Sequence, residues 1–125
     1  MTDTVNTDKA PMAVGPYSQA IVAGNMVFTA GEIPVDPRTG KIPETIEKQT
    51  ELALCNVWAV LKAAGVKEDG AVSVTVYLTD IEDFGKVNLV YAEHFRQPFP
   101  ARSCVQVAAL PKGVKIMVSA IGVRE

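Results

Sequence analysis

In Ala71-Val72-Ser73-Val74-Thr75-Val76-Tyr77-Leu78-Thr79, aliphatic and hydroxyl-bearing residues alternate cleanly from Val72 onward. Successive side chains on a strand point to opposite faces. Val72, Val74, Val76 and Leu78 are therefore expected on one face, and Ser73, Thr75, Tyr77 and Thr79 on the other. On either side the period changes to that of a helix. Thr45 to Ala64 carries Ile46, Ala53, Val57, Val60, Leu61 and Ala64 near a 3.6-residue repeat, and Leu54 and Trp58 widen the stripe. Thr45 is a fitting N-cap and Gly65 a C-terminal stop. The second helix is expected from Asp83 to about Phe95, capped by Asp80 or Asp83, with Phe84, Val87, Tyr91 and Phe95 as its buried stripe.

Farther out, Ser18 to Val22 and Met26 to Ala30 read as two short strands around a Gly24-Asn25 turn, and Pro34 to Gly40 as a loop. Arg102 to Ala108 and Val114 to Val123 are the last strands, joined through Leu110-Pro111-Lys112-Gly113. Met1 to Lys9 is a polar lead-in, either mobile or an edge strand. The order β-β-α-β-α-β-β gives an α+β fold, one mainly antiparallel sheet with two helices on one face. Its uncovered face would hold Ser73, Thr75, Tyr77, Cys104, Met117, Ile121 and Val123, which is too apolar to stay bare. A homo-oligomer packing such faces together is the expected remedy, with pockets where subunits meet.

The chain has 125 residues, 48% of them hydrophobic, and a net charge of −2 with both signs interspersed. That fits a single domain over residues 1–125 with one core. No basic face is offered to a nucleic acid or an anionic membrane. No apolar run approaches the ~20 residues of a membrane span. The start, with Asp3 and Asp8, resembles neither a secretory signal nor a transit peptide, so a cytoplasmic location with reduced thiols is expected. Cys55 and Cys104 lie far apart, and His94 is the single histidine, so neither a disulfide nor a Cys/His zinc site, nor any other metal, is expected. Cys55 is assigned to the core, and His94 to contacts with terminal helix carbonyls.

Pro100-Ala101-Arg102-Ser103-Cys104 puts one permanent charge into what reads as a buried strand, with Arg102, Cys104 and Gln106 on one face. Such a charge needs a partner. An internal Asp or Glu would serve, and so would the carboxylate of a small ligand gripped by the guanidinium fork. Both readings are open at this point.

Several ordered motifs together resemble one family. Ala10-Pro11-Met12-Ala13-Val14-Gly15-Pro16-Tyr17-Ser18-Gln19-Ala20 looks like its N-terminal signature, and Ala30-Gly31-Glu32-Ile33-Pro34 sits where it has Ser-Gly-Gln-Ile-Pro. Phe84 to Tyr91 carries its Asp-Phe…Val-Asn…Tyr pattern, and Pro-Ala-Arg-Ser-Cys with Leu-Pro-Lys-Gly completes the set. The chain is similar to the RidA (YjgF-type) reactive-intermediate deaminases over almost its whole length.

That resemblance implies a chorismate-mutase-like subunit and a homotrimer whose sheets form a central barrel with clefts between neighbours. It implies hydrolysis of 2-imino or 2-enamino acids, such as 2-aminoacrylate, to 2-keto acids and ammonia without a cofactor. Arg102 takes the place of the carboxylate-binding arginine, and Cys104 supplies main-chain contacts to the substrate nitrogen. Tyr17, Asn88, Gly31 and Glu32 match further pocket positions. Taken without the family, Tyr17 reads as a turn residue and Asn88 as a helix-surface polar residue.

The chain also departs from the pattern. Most deaminating members end in Glu-Ile-Glu-Ala-Ile-Ala, whose second glutamate is thought to position the attacking water. Here the strand reads Met117-Val118-Ser119-Ala120-Ile121-Gly122, so Ser119 holds that position. Ala30 replaces a serine, Glu32 a glutamine and Ala109 an arginine. Glu32 could substitute as a base, although a loop carboxylate after Gly31 is expected to be solvated. Two functions follow: imine hydrolysis, weakened or shifted in substrate, or a non-catalytic trimer that binds a small carboxylate. The Cys104 thiol is expected to be a small buried hydrophobe rather than a nucleophile.

Overall fold

The computed structural model describes residues 2–125. Strands β1 (Thr2–Val5), β2 (Ala20–Ala23) and β3 (Met26–Thr29) precede helix α1 (Ile46–Ala63). Strand β4 (Val66–Leu78), helix α2 (Phe84–Ala92), β5 (Ala101–Gln106) and β6 (Ile116–Arg124) follow. One sheet results, in the order β1-β2-β3-β6-β4-β5, and among the described strands only the β4–β5 pair is parallel. The lead-in is thus an edge strand. Among the described residues no helix is long and apolar enough to cross a membrane.

Helix α1 begins where expected: the Thr45 hydroxyl accepts from the Lys48 N–H at 3.2 Å. It ends at Ala64, before Gly65 turns the chain at φ +94°. Its stripe of Ala53, Leu54, Val57, Val60 and Leu61 is fully buried against β6, β4 and β3, each Leu or Val contributing about 1.5–3 kcal/mol. Helix α2 is shorter than its periodicity suggests. The residues before it, Ile81–Asp83, form a 3-10 turn capped by the Asp80 side chain, while Asp83 makes no side-chain cap.

Two placements depart from simple alternation. Val72 is 42% exposed, whereas Ala71 is buried beside Val74, Val76 and Leu78. The β4–β6 register slips between Ala71 and Ser73, and one extra residue in a strand turns what precedes it to the other face. Gly70 permits the close approach, since a Cβ there would lie 2.8 Å from the Val123 carbonyl oxygen. Strand β5 is not a buried strand. It pairs with β4 alone among the described strands and is mostly exposed.

Buried amides tie the loops to this frame. Gln19 exchanges hydrogen bonds with the Thr7 main chain and donates to the Pro11 carbonyl. Asn56 donates to the carbonyls of Ile33 and Val35, and Gln49 joins the Pro43 carbonyl to the Lys115 N–H. Asn56 thereby ties the Gly31–Pro34 segment to α1, and main-chain bonds between Glu32 and Val118 hold it beside β6.

Candidate functional site

Helix α2 lies over the β5 edge, and Phe84, Asn88 and Tyr91 share the face that meets Arg102. The guanidinium carbon stands 5.1 Å from the Phe84 ring centroid and 4.6 Å from that of Tyr91. Arg102 Nη1 donates to Asn88 Oδ1 at 2.7 Å. Tyr91 in turn stacks on Phe95 at 4.4 Å. Ring faces and a neutral amide orient the cation without cancelling its charge. Among the described residues no carboxylate is within ion-pair distance of Arg102, so the internal-partner reading fails. A cleft of about 350 Å³ opens beside it, lined by Asn88, Tyr91, Ala92, Phe99, Pro100 and Arg102.

The free edge adds main-chain groups. Val107 N–H donates to the Leu78 carbonyl at 2.8 Å, and residues of a parallel strand direct their polar groups alternately to either side. Ser103 and Val105 therefore face β4, while the N–H and C=O groups of Arg102 and Cys104 project from the edge. Cys104 registers with buried Val76 and packs against the core on the helix side. This corrects its expected place on the open face, which the half-exposed Val105 takes instead. Burial pushes the Cys104 thiol up, against the opposing pull of Arg102, so it stays a neutral thiol.

The remaining sequence candidates lie elsewhere in the chain. Ser119 pairs with Thr75 and shares the open face with Met117. A Cβ on Gly31 would fall 2.7 Å from Met117 Sδ, which puts Gly31 against the same surface. Tyr17 is 53% exposed just before β2, with β3, β6 and β4 between that strand and β5. A single chain thus gathers Arg102, Asn88 and the Cys104 main chain, and leaves Ser119, Gly31 and Tyr17 apart from them.

Glu32 is not a solvated loop residue. It bridges Val118 through two main-chain hydrogen bonds, and directly opposed residues share a face, so its side chain lies on the core side with Val118. It is 5% exposed, and burial lifts its carboxyl from 4.5 to about 8. It therefore does not face the surface that carries Ser119, where a substitute base would be needed.

Phe84 and Tyr91 are expected in the buried stripe of α2 and in the family-like pattern, but not as partners of Arg102, and Phe99 is not expected at the site; the spacing of Phe84, Asn88 and Tyr91 on α2 was the available signal. The Tyr91 hydroxyl is buried with no hydrogen-bond partner among the described residues, and burial, opposed by Arg102, pushes it up to about 12. Two further expectations are corrected. Cys55 is exposed rather than in the core. The His94 ring meets Glu51, with Nε2 2.9 Å from Oε2, rather than terminal carbonyls.

Comparison with known proteins agrees with this architecture. The family model described as Endoribonuclease L-PSP matches residues 7–124. The 2-iminobutanoate/2-iminopropanoate deaminase of Escherichia coli K12 is 47% identical over 127 residues, covering 99% of each chain. The crystal structure of E. coli TdcF with bound serine superposes with a TM-score of 0.92 at 46% identity, covering 98% of this chain and 99% of that one. RidA from an Antarctic Psychrobacter gives 0.93 at 42% identity, covering 97% and 98%. With its motifs, its fold and its full-length relatives in agreement, this chain belongs to the RidA/YjgF family.

Proposed function

We propose that this protein hydrolyses small 2-imino and 2-enamino acids, such as 2-aminoacrylate, to 2-keto acids and ammonia. The observation that carries this reading is the Arg102 guanidinium: stacked on Tyr91 and Phe84, steadied by Asn88, paired with no carboxylate among the described residues and beside an open cleft. Such a fork fits the acid end of a small substrate. The relative crystallised with serine held a molecule with the same acid end.

Copies of the chain are proposed to associate as a homotrimer through the open face. Phe28 and Val105 are each 42% exposed there, beside the half-buried Met117, Ile121 and Val123. In that assembly Tyr17, Gly31 and Ser119 of one copy would complete the cleft at Arg102 of the next. The reaction needs no cofactor. Arg102 holds the carboxylate, and outward main-chain groups at Cys104 meet the substrate nitrogen. Water adds to the carbon of the C=N bond and passes one proton to nitrogen; as the C–N bond breaks, the new hydroxyl gives its proton to nitrogen and becomes the keto oxygen, so ammonia leaves with both protons of the water. Much of the help required is capture and orientation. Ser119 cannot act as a carboxylate base, so the rate is expected to fall short of a glutamate-bearing site by about 10²–10⁴.

The test is conversion of enzymatically generated 2-aminoacrylate to pyruvate. The protein should exceed the uncatalysed rate, and Arg102→Ala should lower kcat/KM by about 10- to 100-fold through loss of a charged hydrogen bond. Equal rates with and without protein would remove the enzyme reading. Pyruvate binding that Arg102→Ala abolishes, without turnover, would select the carboxylate-binding alternative.

A further inference from the structure

We propose that Glu51, Cys55 and His94 form a binding site for a divalent transition-metal ion of borderline softness, zinc being the fitting case, on the outer helical surface away from the Arg102 cleft. Glu51 and Cys55 stand one turn apart on α1, so their side chains project to the same side. His94 arrives from the turn after α2. The three ligand atoms all lie within 4.8 Å of one another. His94 Nε2 is 2.9 Å and Cys55 Sγ 3.7 Å from the same Glu51 oxygen, Oε2.

The third ligand is held from behind. The His94 carbonyl accepts from the Trp58 indole N–H at 3.0 Å, and its own N–H donates to the Tyr91 carbonyl at 3.0 Å. Trp58 packs against Phe95, with ring centroids 5.6 Å apart. The main chain that carries the imidazole is therefore fixed on both sides.

Tetrahedral coordination with bonds of about 2.0–2.3 Å needs ligand atoms roughly 3.3–3.6 Å apart. Shifts of about 1 Å in two exposed side chains meet that requirement. Thiolate, imidazole and carboxylate together favour zinc or cobalt over magnesium or calcium. On binding, the Cys55 S–H proton passes to solvent as the metal–sulfur bond forms. The fourth position opens into a cleft of about 310 Å³ in which Glu93 stands against Lys62 and Arg96 is paired with Glu68, so its fixed charges balance.

The experiment titrates tag-free, reduced full-length protein with cobalt(II) alone. One ion per chain should bind, raising a thiolate-to-cobalt absorption in the near ultraviolet and quenching Trp58, the single tryptophan; zinc should displace it. Cys55→Ser should abolish the absorption. His94→Gln should weaken binding at least about tenfold, with the far-ultraviolet circular dichroism of both variants unchanged. No absorption in the parent protein, or cobalt affinity unaltered in both variants, would overturn the proposal and leave an ordinary His–Glu contact.

Discussion

Replacing Glu32 by glutamine should stabilise the protein in a strongly pH-dependent way. The carboxyl is 5% exposed, and burial alone lifts it from 4.5 to about 8. Below pH 4.5 the group is protonated in the folded and unfolded chain alike, so Glu32→Gln should change little. Between pH 4.5 and about 8 the unfolded chain ionises while the folded one keeps its proton, and stability falls as pH rises. The loss is about 3 kcal/mol at pH 7 and levels off near about 5 kcal/mol above pH 8. Glutamine carries no such charge and nearly the same volume. At pH 7 and fixed protein concentration Glu32→Gln should raise Tm by about 10 °C. Urea unfolding of both proteins from pH 4 to 9 measures the difference directly. A stability gap that stays flat across this range would refute the reasoning, because it would mean that the carboxyl titrates alike in both states.

Ser119→Glu should raise imine hydrolysis by as much as about 10²–10⁴ by restoring a carboxylate at the family's water-handling position, read as kcat on 2-aminoacrylate. Unchanged kcat would show that water is handled by another group. Tyr91→Phe removes a buried hydroxyl that has no partner and should raise stability by about 1–3 kcal/mol in thermal or urea unfolding. A loss of similar size would mean that the hydroxyl is bonded in the assembled protein.

The local parts of the fold were legible because they are written in short-range periodicity. Thr45 and Gly65 bound α1, and Val74, Val76 and Leu78 line the core as alternation requires. Within β4 alternation failed at Val72, where the register slip depends on how closely Gly70 approaches the neighbouring strand. Arg102 and Asn88 were found through motifs, and the structure joins them by one hydrogen bond. The motifs did not show that Glu32 is buried, that Cys104 packs on the helix side, or that Ser119 faces away from Arg102.

The order of residues by itself determined where α1 and the middle of β4 lie, and which guanidinium is the candidate anion grip. Tertiary structure decided that β5 runs parallel to β4 at a free edge, leaving the Arg102 and Cys104 main chain outward. It also brought His94 to Glu51 and drew the Glu32 carboxyl out of water. Periodicity is set by neighbours along the chain. Strand order, burial and charge environment are set by residues tens of positions apart, and those meetings exist only once the sheet and its helices have packed.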